Sequence, residues 1–187
     1  MTDPTDANGF AIFETPIGAC GIAWGPRGIM GLQLPETTAQ GTRTRLQRRW
    51  TGATETMPPA AVQHAIDRVL ALLAGEAVDL SDIPLDLEAA PDFHRKVYEV
   101  ARTIPPGQTM TYGEIARKLG VPHESREVGQ ALGRNPIAII VPCHRVLGAD
   151  GKMGGFSANG GVATKRRILE IEGASAVGAG PLFDRLK

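Results

Sequence analysis

The stretch Arg134-Asn135-Pro136-Ile137-Ala138-Ile139-Ile140-Val141-Pro142-Cys143-His144-Arg145 decides how this chain is read. Residues 137–141 form an unbroken apolar run suited to a buried strand, since a strand covered on both faces needs no alternation. Pro136 and Pro142 bracket it as breakers. The run delivers a thiol beside an imidazole. Thiolate is the reactive form of cysteine and a nearby base eases its formation, so Cys143 with His144 is a candidate activated nucleophile. Free cysteines are also common small core residues. Neighbours in an extended chain point opposite ways, so the pair needs a turn or a bridging water to cooperate. The residues alone leave both readings open.

Upstream, Phe93 to Ile104 is amphipathic and ends at Pro105-Pro106-Gly107. Thr111-Tyr112-Gly113-Glu114 has capping-box spacing and opens a helix that stops at Gly120. A second helix is expected from Ser125 to Arg134. Two short helices across a tight turn make a helix-turn-helix, whose second helix often enters a DNA groove, although many helical hairpins bind nothing. Gly129, Ala131 and Gly133 give that second helix a small-residue surface. It suits close packing on another helix or close approach to a ligand, and spacing does not separate the two.

The first half reads as a small α+β unit. Phe10 to Glu14, Ile17 to Trp24 and Gly28 to Leu34 are short apolar runs, with Gly25-Pro26-Arg27-Gly28 as a hairpin turn. Thr37 to Trp50 is Arg-rich and predicts an exposed helix. Pro59 to Gly75 predicts another, with Val62, Ile66, Val69, Leu70, Leu72 and Leu73 on one face. Val78 to Leu87 reads as a further strand. Composition shifts around Glu88-Ala89-Ala90-Pro91, which places a domain boundary there. The expected domains are 1–91 and 92–187.

The whole chain of 187 residues is 42% hydrophobic and 21% charged, enough apolar content for a core and too much for disorder. Its net charge is zero but unevenly spread. Residues 1–91 carry six Lys/Arg against eleven Asp/Glu, and residues 92–172 carry twelve against eight. An acidic half joined to a basic half suits a chain whose second half meets a polyanion, though two solvated surfaces would look the same. No run is long and apolar enough to span a membrane, and Met1 to Gly9 shows no leader pattern. Two cysteines, Cys20 and Cys143, make no disulfide framework, so a cytoplasmic setting is expected.

From Phe93 to Gly173 the chain resembles the O6-alkylguanine-DNA alkyltransferases. The resemblance rests on Pro142-Cys143-His144-Arg145-Val146 with Arg134-Asn135-Pro136 and the apolar run before it. It also takes in Thr111-Tyr112-Gly113-Glu114, Arg126 with Val128-Gly129, Gly155-Phe156-Ser157, Lys165-Arg166-Arg167-Ile168-Leu169 and Glu172-Gly173. The first half resembles the family's N-terminal domain more loosely.

The resemblance implies an α+β fold. A small α/β N-terminal domain with a short antiparallel sheet precedes a helical, winged helix-turn-helix-like catalytic domain. It implies a monomer on double-stranded DNA, bound through the minor groove, with no cofactor and no metal. Cys143 would accept an alkyl group from O6 of guanine in a single-turnover reaction. His144 would be its base through a water, Glu172 would orient His144, and Tyr112 would donate to guanine N3. Asn135, Val146, Phe156 and Ser157 would shape the base pocket. Ser125, Arg126, Gly129 and Ala131 would meet DNA, with Arg126 filling the stack left by a flipped nucleotide. Phe156 stands where the family often has tyrosine, and Ala138 where some members have proline. Cys20, His64 and His94 match no zinc set, and Cys20 is expected in a strand core. Two rival readings are a DNA-binding module with an inert cysteine and a Cys-His-Glu hydrolase.

Overall fold

The computed structural model describes residues 8–174. The polar segment up to residue 7, and the end of the expected second domain beyond residue 174, lie outside them.

Strands β1 (Gly9–Thr15), β2 (Gly18–Gly25) and β3 (Gly28–Gln33) run antiparallel in sequence order. The Thr15 hydroxyl closes the first hairpin by donating to the Gly18 carbonyl at 2.7 Å. The second turn falls on Pro26-Arg27 as the sequence predicts. Gly28 follows at φ 141°, where a Cβ would sit 2.5 Å from the Pro84 carbonyl oxygen. A two-residue strand β4 (Thr54–Glu55) pairs parallel to β1, so the sheet is mixed, in the order β3-β2-β1-β4, rather than wholly antiparallel.

Helix α1 (Ala39–Arg49) begins at Thr38, whose side chain accepts from the Gly41 amide. It is not simply exposed. Its arginines face solvent, whereas Thr42, Leu46 and Trp50 are buried against the sheet. A Cβ at Gly31 would lie 2.0 Å from the Trp50 ring, and one at Gly21 would lie 2.1 Å from Leu46. Two strand glycines thus make the room in which the helix docks. Helix α2 (Ala60–Leu73) buries Val62, Ile66, Val69, Leu72 and Leu73 of the predicted face, with Ala65 in addition and Leu70 only partly buried.

Residues 78–87 are not the strand expected of them. Only Leu85 bridges, to Ile29. The Asp79 side chain accepts from the Ser81 amide at 2.8 Å, turning the backbone locally, and Pro84 has no N–H to offer a ladder.

The second half brings helices α3 (Asp92–Arg102), α4 (Tyr112–Lys118), α5 (Ser125–Gly133) and α6 (Gly161–Ile171) together. Short strands β5 (Met110–Thr111) and β6 (Val146–Leu147) pair in parallel. The Thr111–Glu114 capping box forms in both directions. The buried Tyr98 hydroxyl donates to the Ala131 carbonyl at 2.7 Å and pins α5 to α3.

The run 137–141 is buried as predicted but is not a regular strand. Ile139 stands at φ 69° and the Ile140 amide donates to Ala138 across it at 2.8 Å, a γ-turn of the rarer hand. Such a conformation in a β-branched residue costs about 1–3 kcal/mol. Surrounding contacts hold it. Leu32 of β3 donates to Pro136 at 3.0 Å and accepts from the Ala138 amide at 3.2 Å, while one hydrophobic cluster runs from Ile22 and Leu72 through Val97 and Ile115 to Ile137 and Val141. The chain therefore turns back on itself before the cysteine, with its side chains still in the core.

Candidate active site

Pro142, at φ −82° and ψ 65°, makes a second γ-turn, of the commoner hand, with the Cys143 amide donating to Val141 at 2.8 Å. Cys143–Arg145 then form a single 3-10 turn. This resolves the problem of adjacent residues pointing apart. The turn sends His144 into the interior, where it is 1% exposed, and leaves Cys143 half-buried on a cavity wall.

His144 Nε2 lies 2.8 Å from Glu172 Oε1, just past the end of α6. Arg145 donates to both oxygens of the same carboxylate, at 2.9 and 2.7 Å, and to the Ile104 carbonyl at 2.6 Å. Burial opposes charge on Glu172, yet His144 and Arg145 outweigh it and hold the carboxyl at about 2. Burial pushes His144 below its ordinary value, more than Glu172 raises it. The set is therefore an ionised carboxylate holding a neutral imidazole, with Nε2–H donating, and the other ring nitrogen is left as an acceptor.

Burial raises the Cys143 thiol. The Asn135 amide, the Lys165 charge and the turn's own amides act against that rise. Asn135 also clamps the folded-back run, donating to the Val141 carbonyl and accepting from the Ile137 amide, both at 2.9 Å. Cys143, Asn135, Ala138, Phe156 and Ser157 share a cavity of about 120 Å³. Leu132, Gly133, Pro136 and Ala158 also line it, and the first half of the chain contributes Leu34, Arg45 and Arg49 among others. Ser157 is exposed, and its hydroxyl donates to the Gly133 carbonyl at 3.3 Å, tying the segment to the end of α5.

Lys165 had no role in the sequence reading. Its spacing with Ile168 and Leu169 was the available signal, because residues three and four apart share a helix face. It is 1% exposed and donates to the Val146 carbonyl at 2.6 Å. Its ammonium lies 5.9 Å from the centre of the Tyr112 ring and 6.0 Å from that of Phe156. Val146 is itself buried, so the pocket role expected of its carbonyl must share that oxygen with Lys165. Arg145, too, was quoted only as part of a motif, and its hold on Glu172 has no local sequence signature.

Tyr112 opens α4 and borders a second, open concavity of about 810 Å³ with Ser125, Arg126, Gly129 and Gly154. Burial, and then the nearby Cys143, raise its hydroxyl, which therefore stays a proton donor. Ser125 and Arg126 are exposed. A Cβ on Gly129 would reach Tyr112 only at 3.8 Å, and one on Gly133 would meet nothing within 4 Å. Protein packing thus does not demand either glycine. Ala131 is a correction. It lies fully buried against α3 and offers no surface to a ligand.

Cys20 is buried on β2, and burial raises its thiol to about 12. Among the described residues no three or more His, Cys, Asp or Glu side chains gather as metal ligands, and no helix is long and apolar enough to cross a membrane.

Residues 92–174 match the family described as 6-O-methylguanine DNA methyltransferase, DNA binding domain. The methylated-DNA–protein-cysteine methyltransferase of Mycobacterium tuberculosis is 41% identical over 175 residues, covering 94% of this chain and 98% of that protein. The enzyme of the same description from Methanothermobacter thermautotrophicus is 34% identical over 163 residues, 87% of this chain and 84% of the relative. In three dimensions the crystal structure of Mycobacterium tuberculosis OGT in complex with DNA is similar at a TM-score of 0.72 and 38% identity, over 91% of this chain and 98% of that one. Mixed sheet, helical second half and turn-borne cysteine thus define a protein of the class that carries its reactive thiol on a DNA-binding scaffold. The chain belongs to the methylated-DNA–protein-cysteine methyltransferase family.

Proposed function

We propose that this protein repairs DNA by moving the alkyl group of an O6-alkylguanine onto its own Cys143, once per molecule. The observation that carries the reading is Cys143 on a cavity wall, on the same short turn as a neutral His144 held by an ionised Glu172. The sulfur bonds to the alkyl carbon as the bond from that carbon to O6 breaks with its electron pair. The thiol proton leaves through a water to the free His144 nitrogen, and the guanine ends protonated on its ring. Glu172 fixes the imidazole's tautomer, the role of the third member of a triad. Tyr112 donates to the ring nitrogen N3, offsetting the charge that develops on the leaving base. Asn135 and the Phe156–Ser157 segment frame the base, and the Val146 carbonyl accepts from its amine. A thioether has no leaving path, so the reaction stops after one turnover.

We further propose two domains meeting at residue 91, the second a winged helix-turn-helix in which α4 and α5 are the paired helices. A base inside a duplex cannot reach a half-buried thiol on a cavity wall, so the nucleotide is flipped out. Arg126 fills the gap, while Ser125 and Gly129 lie along the minor groove, where binding follows shape and backbone more than sequence. The protein acts as a monomer in the cytoplasm.

Intact-protein mass spectrometry after exposure to an O6-methylguanine duplex tests the reading. One added methyl per chain, located at Cys143 and absent in Cys143→Ala, is expected. No mass gain, or product in several-fold excess over protein, overturns it.

A further inference from the structure

Helix α5 ends in a tightened turn. Pro136 has no N–H to return to Leu132. The Arg134 and Asn135 amides instead bond three residues back, to Ala131 at 3.2 Å and to Leu132 at 3.1 Å. Ala131 is fully buried, and its carbonyl has a second lone pair that such a turn leaves without a backbone donor. Tyr98 supplies that donor. It stands on α3, 1% exposed, and its hydroxyl reaches the carbonyl at 2.7 Å. Burial, and then the nearness of Cys143, raise the phenol to about 12, so it remains a donor at neutral and mildly alkaline pH. The same turn carries Asn135, whose side chain donates to Val141, accepts from Ile137 and hydrogen-bonds the Cys143 sulfur.

We propose that Tyr98 is a positioning residue for Cys143: its hydroxyl fixes the last turn of α5, and through that turn the place from which Asn135 holds the thiol-bearing segment. As a statement about the reaction it rests on Cys143 being the alkyl acceptor. The route is short and made of directed bonds. It runs from the Tyr98 hydroxyl to the Ala131 carbonyl, along the turn to Asn135, and from the Asn135 amide to the Val141 carbonyl. That carbonyl also takes the Cys143 amide at 2.8 Å, so a shift of Asn135 is passed to the cysteine's own backbone. Tyr98→Phe keeps the ring in the core and removes only the donor. The turn then relaxes, Asn135 moves with it, its bond to the sulfur weakens, and the thiolate becomes costlier to form. The other charged and titratable groups around the sulfur stay in place: His144, Lys165 and Tyr112, with Arg45 and Arg49 across the cavity. So do those around the phenol, which are His94, Arg49 and Arg134.

The test follows the thiol of the full chain across pH in two ways. Capture of iodoacetamide at Cys143, located by peptide mass spectrometry, reads the thiolate without guanine. Single-turnover transfer from free O6-methylguanine reads it without DNA. In Tyr98→Phe both profiles are expected to move to higher pH. Transfer at neutral pH should be about three- to tenfold slower and recover in alkali, since a rise of one unit removes about tenfold of the thiolate. Asn135→Ala should move both profiles the same way, and Tyr98→Phe added to it should move them no further. Val69→Ala, on the core face of α2, is the control. Lost stability alone should lower its melting temperature and leave both profiles in place. A Tyr98→Phe chain that melts lower while its profiles stay at the wild-type pH overturns the proposal, as does a loss of rate equal at every pH. If the wild-type chain takes no methyl group from O6-methylguanine, free or in a duplex, the acceptor reading falls, and the iodoacetamide profile still decides whether Tyr98 positions the sulfur.

Discussion

Glu172 and His144 meet at 2.8 Å with their side chains withdrawn from water, 0% and 1% exposed. Both titrate in a direction that makes folding sensitive to acid. Burial sets His144 below its ordinary 6.5, so the unfolded chain takes up that proton first. Glu172 is held at about 2 against an ordinary 4.5, so again the unfolded chain binds the proton more readily. Stability therefore falls as pH falls, through the His144 contribution below about 6.5 and the Glu172 contribution between about 4.5 and 2. Glu172→Gln removes the second contribution and leaves Arg145 buried without its carboxylate, at a cost of about 3–5 kcal/mol. Urea melts across pH check this. The variant is expected to be much weaker at neutral pH and to lose the wild-type slope in the acid range. A wild-type midpoint that does not move between neutral and acid pH contradicts the assignment.

Lys165 is expected to set the working pH of the thiol. Its ammonium is the cation that opposes the effect of burial on Cys143. Lys165→Met removes that charge while filling much of the same space. A rise of one unit in the thiol is about a tenfold loss of thiolate at neutral pH. Alkyl transfer in Lys165→Met should slow on that scale and recover as pH is raised. A loss that persists at all pH values would mean that Lys165 serves only to hold the Val146 carbonyl.

Much of this architecture was legible in the sequence because the signals were local. The Thr111–Glu114 box, the α2 stripe and the Pro26-Arg27 turn are each written within a few residues, and each is found in the structure. Most of what failed depended on distant partners. The run 137–141 has strand composition, but only Leu32 offers it a ladder, and Asn135 and the core bend it back at Ile139. Val78 to Leu87 is the exception, losing its strand to the local turn chemistry of its own Asp79 and Pro84. Leu46 and Trp50 were hidden in an Arg-rich helix because the glycines that receive them, Gly21 and Gly31, lie on other elements. At the site, Cys143 and His144 stood out as a thiol beside an imidazole, whereas Glu172 and Tyr112 were named through a family resemblance. Arg145, Lys165 and the α1 wall were not, since their roles arise only when α6 and α1 are placed against the turn.

Gly154 is expected to be intolerant of a side chain for a reason that concerns Tyr112. A Cβ there would lie 2.6 Å from the Tyr112 hydroxyl oxygen and 3.1 Å from its ring. Either the phenol or the segment carrying Phe156 and Ser157 must shift. Both belong to the proposed guanine site. Gly154→Ala should therefore depress transfer strongly, because displacement by an ångström can cost on the order of a hundredfold. The segment lies at the surface, so thermal melting should change little. A variant that melts normally and repairs at the wild-type rate would separate Tyr112 from the chemistry.

Arg126 provides the sharpest separation of DNA handling from chemistry. It is exposed on the first turn of α5 and borders the large open concavity, not the smaller cavity that holds Cys143. If it occupies the stack left by a flipped nucleotide, its work is to offset the unstacking cost, a few kcal/mol in duplex DNA. Free O6-alkylated guanine has no stack to leave. Arg126→Ala should then slow transfer from a duplex by about tenfold or more, while transfer from the free base proceeds at the wild-type rate. A duplex carrying the lesion opposite a mismatched base should fall between the two, because that nucleotide is already partly extruded. Stopped-flow transfer assays on the three substrates give the comparison directly. Equal losses on all three would place Arg126 in support of the pocket, and the flipping role would fall.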